Sequence, residues 1–303
     1  MNAGKVLWTG LAASFLLTSA IPSLVAARRS PWDLRSTLVP TKTVVYKKTH
    51  QRNLQLYIFD PAGWKASDTR SAMVFFHGGG WIGGHASQFF TQSANLARRG
   101  MVAISVAYRV RVRDKTSPFQ SVKDAFSAMR WIRAHAKELG INPKQIAAGG
   151  GSAGGQMAAA VATLTASWTN DGKHLDVSPR PNALVLLNPV MDNGPHGYGY
   201  KRVKAQWRSF SPLENIEKGM PPTLVMLGTK DQLIPMKTAE AFRQKIINVK
   251  SRCDLVFFAG YKHGFFNYWP CNMETTSLMD SFLRSLHYLP LSHVGHYMHP
   301  QRK

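Results

Sequence analysis

The chain has 303 residues, 44% of them apolar and 18% charged, which excludes a disordered polymer and suffices for a large buried core. The 38 Lys and Arg outweigh 16 Asp and Glu, a formal charge of +22 that favours polyanions, and two Cys are too few for a disulfide scaffold.

Residues 1–27 read as a secretory signal peptide. Lys5 supplies a positive start, residues 6–20 are mostly apolar, and Val25-Ala26-Ala27 puts small residues where a signal peptidase reads. The expected location is secreted or periplasmic. The rival reading is a retained N-terminal anchor, but the run is short for a span and Thr9, Gly10 and Ser14 dilute it. No stable membrane span is expected after cleavage. Residues 28–40 form an entry segment, 41–289 one α/β domain, and 290–303 a basic, His-rich tail.

From residue 43 onward, strand-like and helix-like stretches alternate. Residues 43–46 and 54–59 are short β-rich runs expected near a sheet edge. Residues 73–76 form an apolar strand that ends in His77-Gly78-Gly79-Gly80-Trp81. Residues 88–98 read as a helix stopped by Gly100, and 102–107 as a buried strand. Val122, Phe126, Met129 and Ile132 recur at helical spacing and predict an amphipathic helix over 119–139, closed by Gly140. A short strand at 145–148 precedes an Ala-rich helix at 153–164. Residues 183–187, 223–227 and 254–258 are three further strands, and 276–289 is a closing helix. Continuous apolar strands separated by helices predict a mostly parallel sheet covered on both faces. The segments 165–181 and 191–220 are rich in Gly, Pro and aromatics and read as substrate-facing loops.

Gly149-Gly150-Gly151-Ser152-Ala153-Gly154-Gly155 contains G-x-S-x-G between a strand and a helix, the setting of a nucleophile elbow. Small neighbours permit the tight turn, and a helix N-terminus favours negative charge developing at Ser152. The glycines after His77 can turn their N–H groups toward an oxyanion, so Gly79 and Gly80 are assigned as donors, with Ala153 as the third. A serine nucleophile needs a base and an orienting acid, in the order Ser, acid, His on this type of sheet. His263, in Lys262-His263-Gly264, follows the strand at 254–258. Asp231, in Gly228-Thr229-Lys230-Asp231, follows the strand at 223–227. Both fall on the sheet edge where open α/β folds place their sites. Asp192 and Glu214 are alternative acids; the first comes one strand too early, and the second reads as a capping residue. The tail histidines His293, His296 and His299 lack acidic or Cys partners and are not assigned to a metal.

Together, His77-Gly-Gly-Gly-Trp81, Val106-Ala107-Tyr108-Arg109, Gly150-Gly-Ser-Ala-Gly154, Gly228-Thr-Lys-Asp231 and His263-Gly264 resemble the α/β-hydrolase superfamily. The likeness is to its hormone-sensitive-lipase-like branch and to secreted polysaccharide acetyl or feruloyl esterases, over residues 41–289. It implies an eight-stranded, mostly parallel sheet and serine ester hydrolysis without metal or cofactor. By position, Ser152 would be nucleophile, His263 base and Asp231 acid, with Gly79, Gly80 and Ala153 as oxyanion donors. Many relatives in the lipase branch carry a large N-terminal helical cap. Residues 28–40 leave no room for one, which argues against long-chain lipids.

The expected activity is hydrolysis of short acyl esters, including acetyl groups on polysaccharide, falling on acidification as the imidazole protonates. A serine peptidase of the prolyl-oligopeptidase type is the alternative, followed by a non-catalytic polyanion-binding protein. Trp81 and Phe265 are candidate substrate contacts. Cys253 and Cys271 bracket His263 and are a candidate disulfide. No nucleic-acid motif accompanies the positive charge; an anionic polymer is the partner class it suggests.

Overall fold

Every second side chain of a strand faces the same way, so strands apolar throughout must feed two cores. The computed structural model, which describes residues 38–164 and 174–290, contains both. The predicted signal peptide and most of the His-rich tail lie outside the described residues.

Eight strands form one sheet: β1 (Lys42–Lys48), β2 (Asn53–Phe59), β3 (Arg70–Phe76), β4 (Val102–Val106), β5 (Ile141–Gly151), β6 (Ala183–Leu187), β7 (Thr223–Gly228) and β8 (Cys253–Phe258). Their spatial order is β1-β2-β4-β3-β5-β6-β7-β8. The pairs β1–β2 and β2–β4 are antiparallel; every later pair is parallel. Along β3, Val74 and Phe76 enter one core while Met73 and Phe75 enter the other. Along β6, Leu184 and Leu186 face the first core and Val185 and Leu187 the second.

The first core is closed by α3 (Pro118–Ala134), α4 (Ala153–Thr163) and α7 (Met236–Asn248), through Ile132, Met157 and Phe242. The second is closed by α1 (Phe90–Arg98) and α8 (Cys271–Ser285), through Leu96, Met279 and Phe282. Four-residue helices α2 (Arg111–Asp114), α5 (Tyr200–Val203) and α6 (Trp207–Phe210) lie in connections. From β3 the chain crosses to β4 on one side, then passes back to β5 on the other. The β3–β5 boundary is therefore the topological switch point, where the carboxyl ends of open sheets form a crevice.

The predicted elements are present, with shifted ends. The helix predicted to 139 stops at Ala134. Its start is set by Ser117, which forms a capping box with Gln120, and by Pro118 in the first turn. Beyond Ala134 the chain reverses so that Leu139 is buried and Ile141 can enter the sheet. The last helix begins at Cys271, five residues before the predicted start. The buried face formed by Met279, Phe282 and Leu283 extends back through Thr275 to Cys271. Strand β5 runs on through the glycines to Gly151, because Gly149 and Gly150 still pair with Phe75 and Phe76.

Candidate active site

The loops after β3, β5, β7 and β8 meet at one edge of the sheet. After β5 the chain turns at Ser152, whose backbone sits at φ 55°, ψ −119°, a conformation rarely adopted by a residue with a side chain. The turn is tight enough that a Cβ on Gly154 would lie 2.0 Å from the Phe76 carbonyl oxygen, and one on Gly150 2.3 Å from the same atom. The two outer glycines of G-x-S-x-G are thus required by the approach of the elbow to β3. Ser152 N–H is anchored to the Leu187 carbonyl at 3.0 Å.

Ser152 Oγ lies 2.8 Å from His263 Nε2, and His263 Nδ1 lies 2.7 Å from Asp231 Oδ2. The Asp231 carboxyl is fully buried and the His263 ring is one-fifth exposed. Asp231 Oδ1 accepts the backbone N–H groups of Leu233 and Ile234 at 2.8 and 2.9 Å. That leaves Oδ2 for the imidazole, so Nδ1 carries its proton and Nε2 offers a lone pair to the serine hydroxyl. The Asp and His loops are stitched together, with Lys230 N–H donating to the Tyr261 carbonyl at 2.9 Å. The alternative acids lie elsewhere in hydrogen bonding: Asp192 accepts the Gly194 N–H at 2.7 Å, and Glu214 faces Arg208 and Lys245.

Gly78, Gly79 and Gly80 bring the loop after β3 against the serine; a Cβ on Gly78 would lie 3.5 Å from Ser152 Cβ. Gly79 and Gly80 have φ of 114° and 62°, and this turns the chain back so that the Gly79 carbonyl accepts the N–H groups of Ile82 and Gly83. The Gly78 N–H is taken by Gln88 Oε1 at 2.6 Å. The N–H groups of Gly79, Gly80 and Ala153 have no hydrogen-bond partner among the described residues. Ala153 is the first residue of α4, so its N–H also carries the positive end of that helix.

His77 lies beneath this loop, fully buried and stacked on Tyr108 with ring centroids 4.0 Å apart. Its Nδ1 is 2.7 Å from the Gly78 carbonyl oxygen, and Tyr108 Oη donates to the His77 carbonyl at 2.6 Å. Burial holds the imidazole neutral, its pKa lowered to about 3. A neutral ring can donate from Nδ1 and fix the carbonyl without placing a charge below the loop.

Three site residues escaped the sequence reading. Gln88 donates from Nε2 to Asn267 Oδ1 at 3.1 Å, and Asn267 Nδ2 donates to the Gly264 carbonyl at 2.9 Å. With the Gly78 contact, this chain ties the glycine loop to the histidine loop. Asn188, buried after β6, accepts the Gly264 N–H at 3.2 Å, and its Nδ2 lies 3.3 Å from His263 Nε2. Position after a strand was the available signal for Asn188. For Gln88 there was none, because its partners are far away in sequence.

Other expectations are corrected. Trp81 is 1% exposed and packs on Tyr198 and Phe210, so it is a buried support of the glycine loop and offers no open face to a substrate. Phe265 is also core, packed on Phe258 and Tyr261. Cys253 and Cys271 are free, buried thiols. Cys253 opens β8 while Cys271 follows the loop beyond its far end, at the start of α8. A six-residue strand is roughly 20 Å long, far beyond the separation a disulfide can bridge.

Two family models match the sequence. One describes the alpha/beta hydrolase fold and covers residues 73–209; the other describes the dienelactone hydrolase family and covers 196–289. The chain belongs to the α/β-hydrolase family. Several of the similar proteins are named esterases. Esterase 2 of Thermogutta terrifontis superposes with a TM-score of 0.79 at 38% identity, covering 83% of this chain and 96% of that one. Its butyrate-bound form gives 0.80 at 36% identity, covering 85% and 98%. Among curated relatives, esterase LipC of Mycobacterium tuberculosis is 29% identical over 248 residues, 71% of this chain and 60% of its own length. The chain thus spans less than two thirds of that relative.

Proposed function

We propose that this protein is a serine carboxylesterase acting on short-chain acyl esters. The observation that carries the reading is the continuous chain Ser152 Oγ–His263 Nε2–His263 Nδ1–Asp231, at 2.8 and 2.7 Å, beside three unpartnered N–H groups. His263 removes the serine proton as Oγ attacks the ester carbonyl. The developing oxyanion is held by the N–H groups of Gly79, Gly80 and Ala153. Asp231 holds the tautomer and stabilises the imidazolium. The imidazolium then protonates the departing alcohol, leaving an acyl-Ser152, and water activated by the same histidine releases the acid.

A short acyl group is supported by the propionate- and butyrate-bound forms of the Thermogutta esterase. An acetylated polysaccharide is the natural substrate class we favour. The apolar run and small-residue site within residues 1–27 support export.

The test is hydrolysis of p-nitrophenyl esters from acetate to decanoate by wild type and Ser152→Ala. The expected result is turnover of acetate to butyrate, falling with longer chains, and a loss of about 10⁴-fold or more in the variant. Turnover that persists in Ser152→Ala would overturn the assignment. The Thermogutta esterase is phosphorylated by paraoxon, and we expect the same reagent to modify Ser152 here.

A further inference from the structure

The oxyanion loop is roofed by a cation. Arg202, in α5, donates from a terminal guanidinium nitrogen to the Gly80 carbonyl at a long 3.4 Å, and its guanidinium lies 5.1 Å from the Tyr198 ring centre. The Tyr198 hydroxyl covers Gly80 so closely that a Cβ there would lie 2.7 Å from it. Arg202 and Tyr198 are both half-buried, and that hydroxyl has no hydrogen-bond partner among the described residues. Arg202 pairs with no carboxylate among them either.

Around this pair the charge is one-sided. Lys201 and Lys204 flank Arg202 and are exposed. Arg111 starts α2, which is pinned to the same loop by its N–H bonding the Trp81 carbonyl at 2.9 Å. Between residues 188 and 213, Asp192 is the one acid. Several other arginines are paired with carboxylates: Arg52 with Asp114, Arg109 with Asp124, Arg252 with Asp254. A half-buried guanidinium with spare donors, beside an unpartnered hydroxyl and resting on the Gly80 carbonyl of the glycine loop, suits a planar oxyanion.

We propose that Arg202 and Tyr198 form an anion-recognition subsite, so that the preferred substrates are esters that carry a carboxylate group. This deepens the esterase reading and rests on it. On a polysaccharide, the corresponding group is a uronate near the ester.

Two arms place the charge on either side of the scissile bond. In one, 4-carboxyphenyl butyrate is compared with its amide isostere, 4-carbamoylphenyl butyrate. In the other, monophenyl glutarate is compared with its terminal amide. The wild type is expected to favour the carboxylate in one arm by about tenfold in kcat/KM, mainly through KM and less at high salt. The arm that responds identifies the side of the bond. In Arg202→Gln that ratio should collapse toward one, and in Arg202→Lys it should be partly kept. Arg243→Gln removes an equal charge beside Cys253, at the opposite edge of the sheet, and should keep the ratio.

No preference in either arm, or a preference that survives in Arg202→Gln, would overturn the proposal. Failure to cleave any of the four esters would instead overturn the esterase reading. Calorimetric titration with glutarate reads the subsite without turnover. Binding that weakens about tenfold in Arg202→Gln but not in Arg243→Gln supports it, and absence of binding counts against it.

Discussion

Ser152 shows what a single residue costs this fold. Its positive φ with ψ near −119° is a strained conformation worth of order 1–3 kcal/mol. The surrounding contacts hold it there: the Leu187 carbonyl on its N–H, and the N–H groups of Gln156 and Val190 on its own carbonyl. His77 is the second residue that the site constrains. It is buried neutral, with its pKa lowered from 6.5 to about 3, whereas in the unfolded chain it titrates normally. Between those values the unfolded chain binds more protons, so His77 costs no stability above pH 6.5 and increasingly destabilises the fold as pH falls toward 3. Comparing urea unfolding at pH 7 and pH 4, wild type should lose about 3 kcal/mol more than His77→Gln. Equal losses would show that the ring is not buried neutral. The motif His77-Gly-Gly-Gly-Trp81 was legible as a loop that serves the serine. Which of its members touch substrate space was not. Trp81 has the composition of a binding residue, but its ring points inward, a choice made by packing against Phe210 on a distant segment.

At the scale of elements, the site is an agreement between four loops. The Gly78–Gln88–Asn267–Gly264 hydrogen-bond chain holds the glycine loop after β3 and the histidine loop in register. Replacing Gln88 by Met keeps the length and removes every polar atom. The Gly78 N–H then loses its acceptor and the loop its tie to Asn267. On p-nitrophenyl butyrate, kcat should fall about tenfold while KM changes less than about twofold, because in the proposed mechanism the contact acts on the transition-state donors. Asn267→Leu should give a similar loss, and the double variant little more, since both cut one chain. An unchanged kcat in Gln88→Met would show that the loop holds its shape without the bridge. The elements that carry these loops were readable from period and composition: continuous apolar runs in β3 and β6, helical spacing in α3. Their ends were less so. Residues 135–140 retain helical composition, yet burial of Leu139 and entry of Ile141 into the sheet turn the chain early.

On the scale of the whole molecule, strand order does the decisive work. Crossing from β3 to β4 and back to β5 places the serine turn and the glycine loop side by side, and β7 and β8 follow in order to deliver Asp231 and then His263. The spacing of 79 residues between Asp231 and Ser152, and of 32 between His263 and Asp231, therefore closes to hydrogen-bond distance. That much followed from sequence, because a parallel sheet sends every loop of interest to one edge. The same geometry separates Cys253 from Cys271: one lies at the amino end of β8 and the other beyond its carboxyl end. Their 18-residue spacing says nothing of that. Esterase structures that match over nearly their full length share this scaffold.

The central claim is that Ser152 is the nucleophile, activated by His263 and Asp231. Its most direct test is reaction of the folded protein with paraoxon, followed by intact-mass and peptide mass analysis. The account predicts one phosphoryl group per chain, carried on Ser152, absent from Ser152→Ala and formed far more slowly in His263→Gln. Labelling at another residue, or labelling that is undiminished in Ser152→Ala, would contradict it.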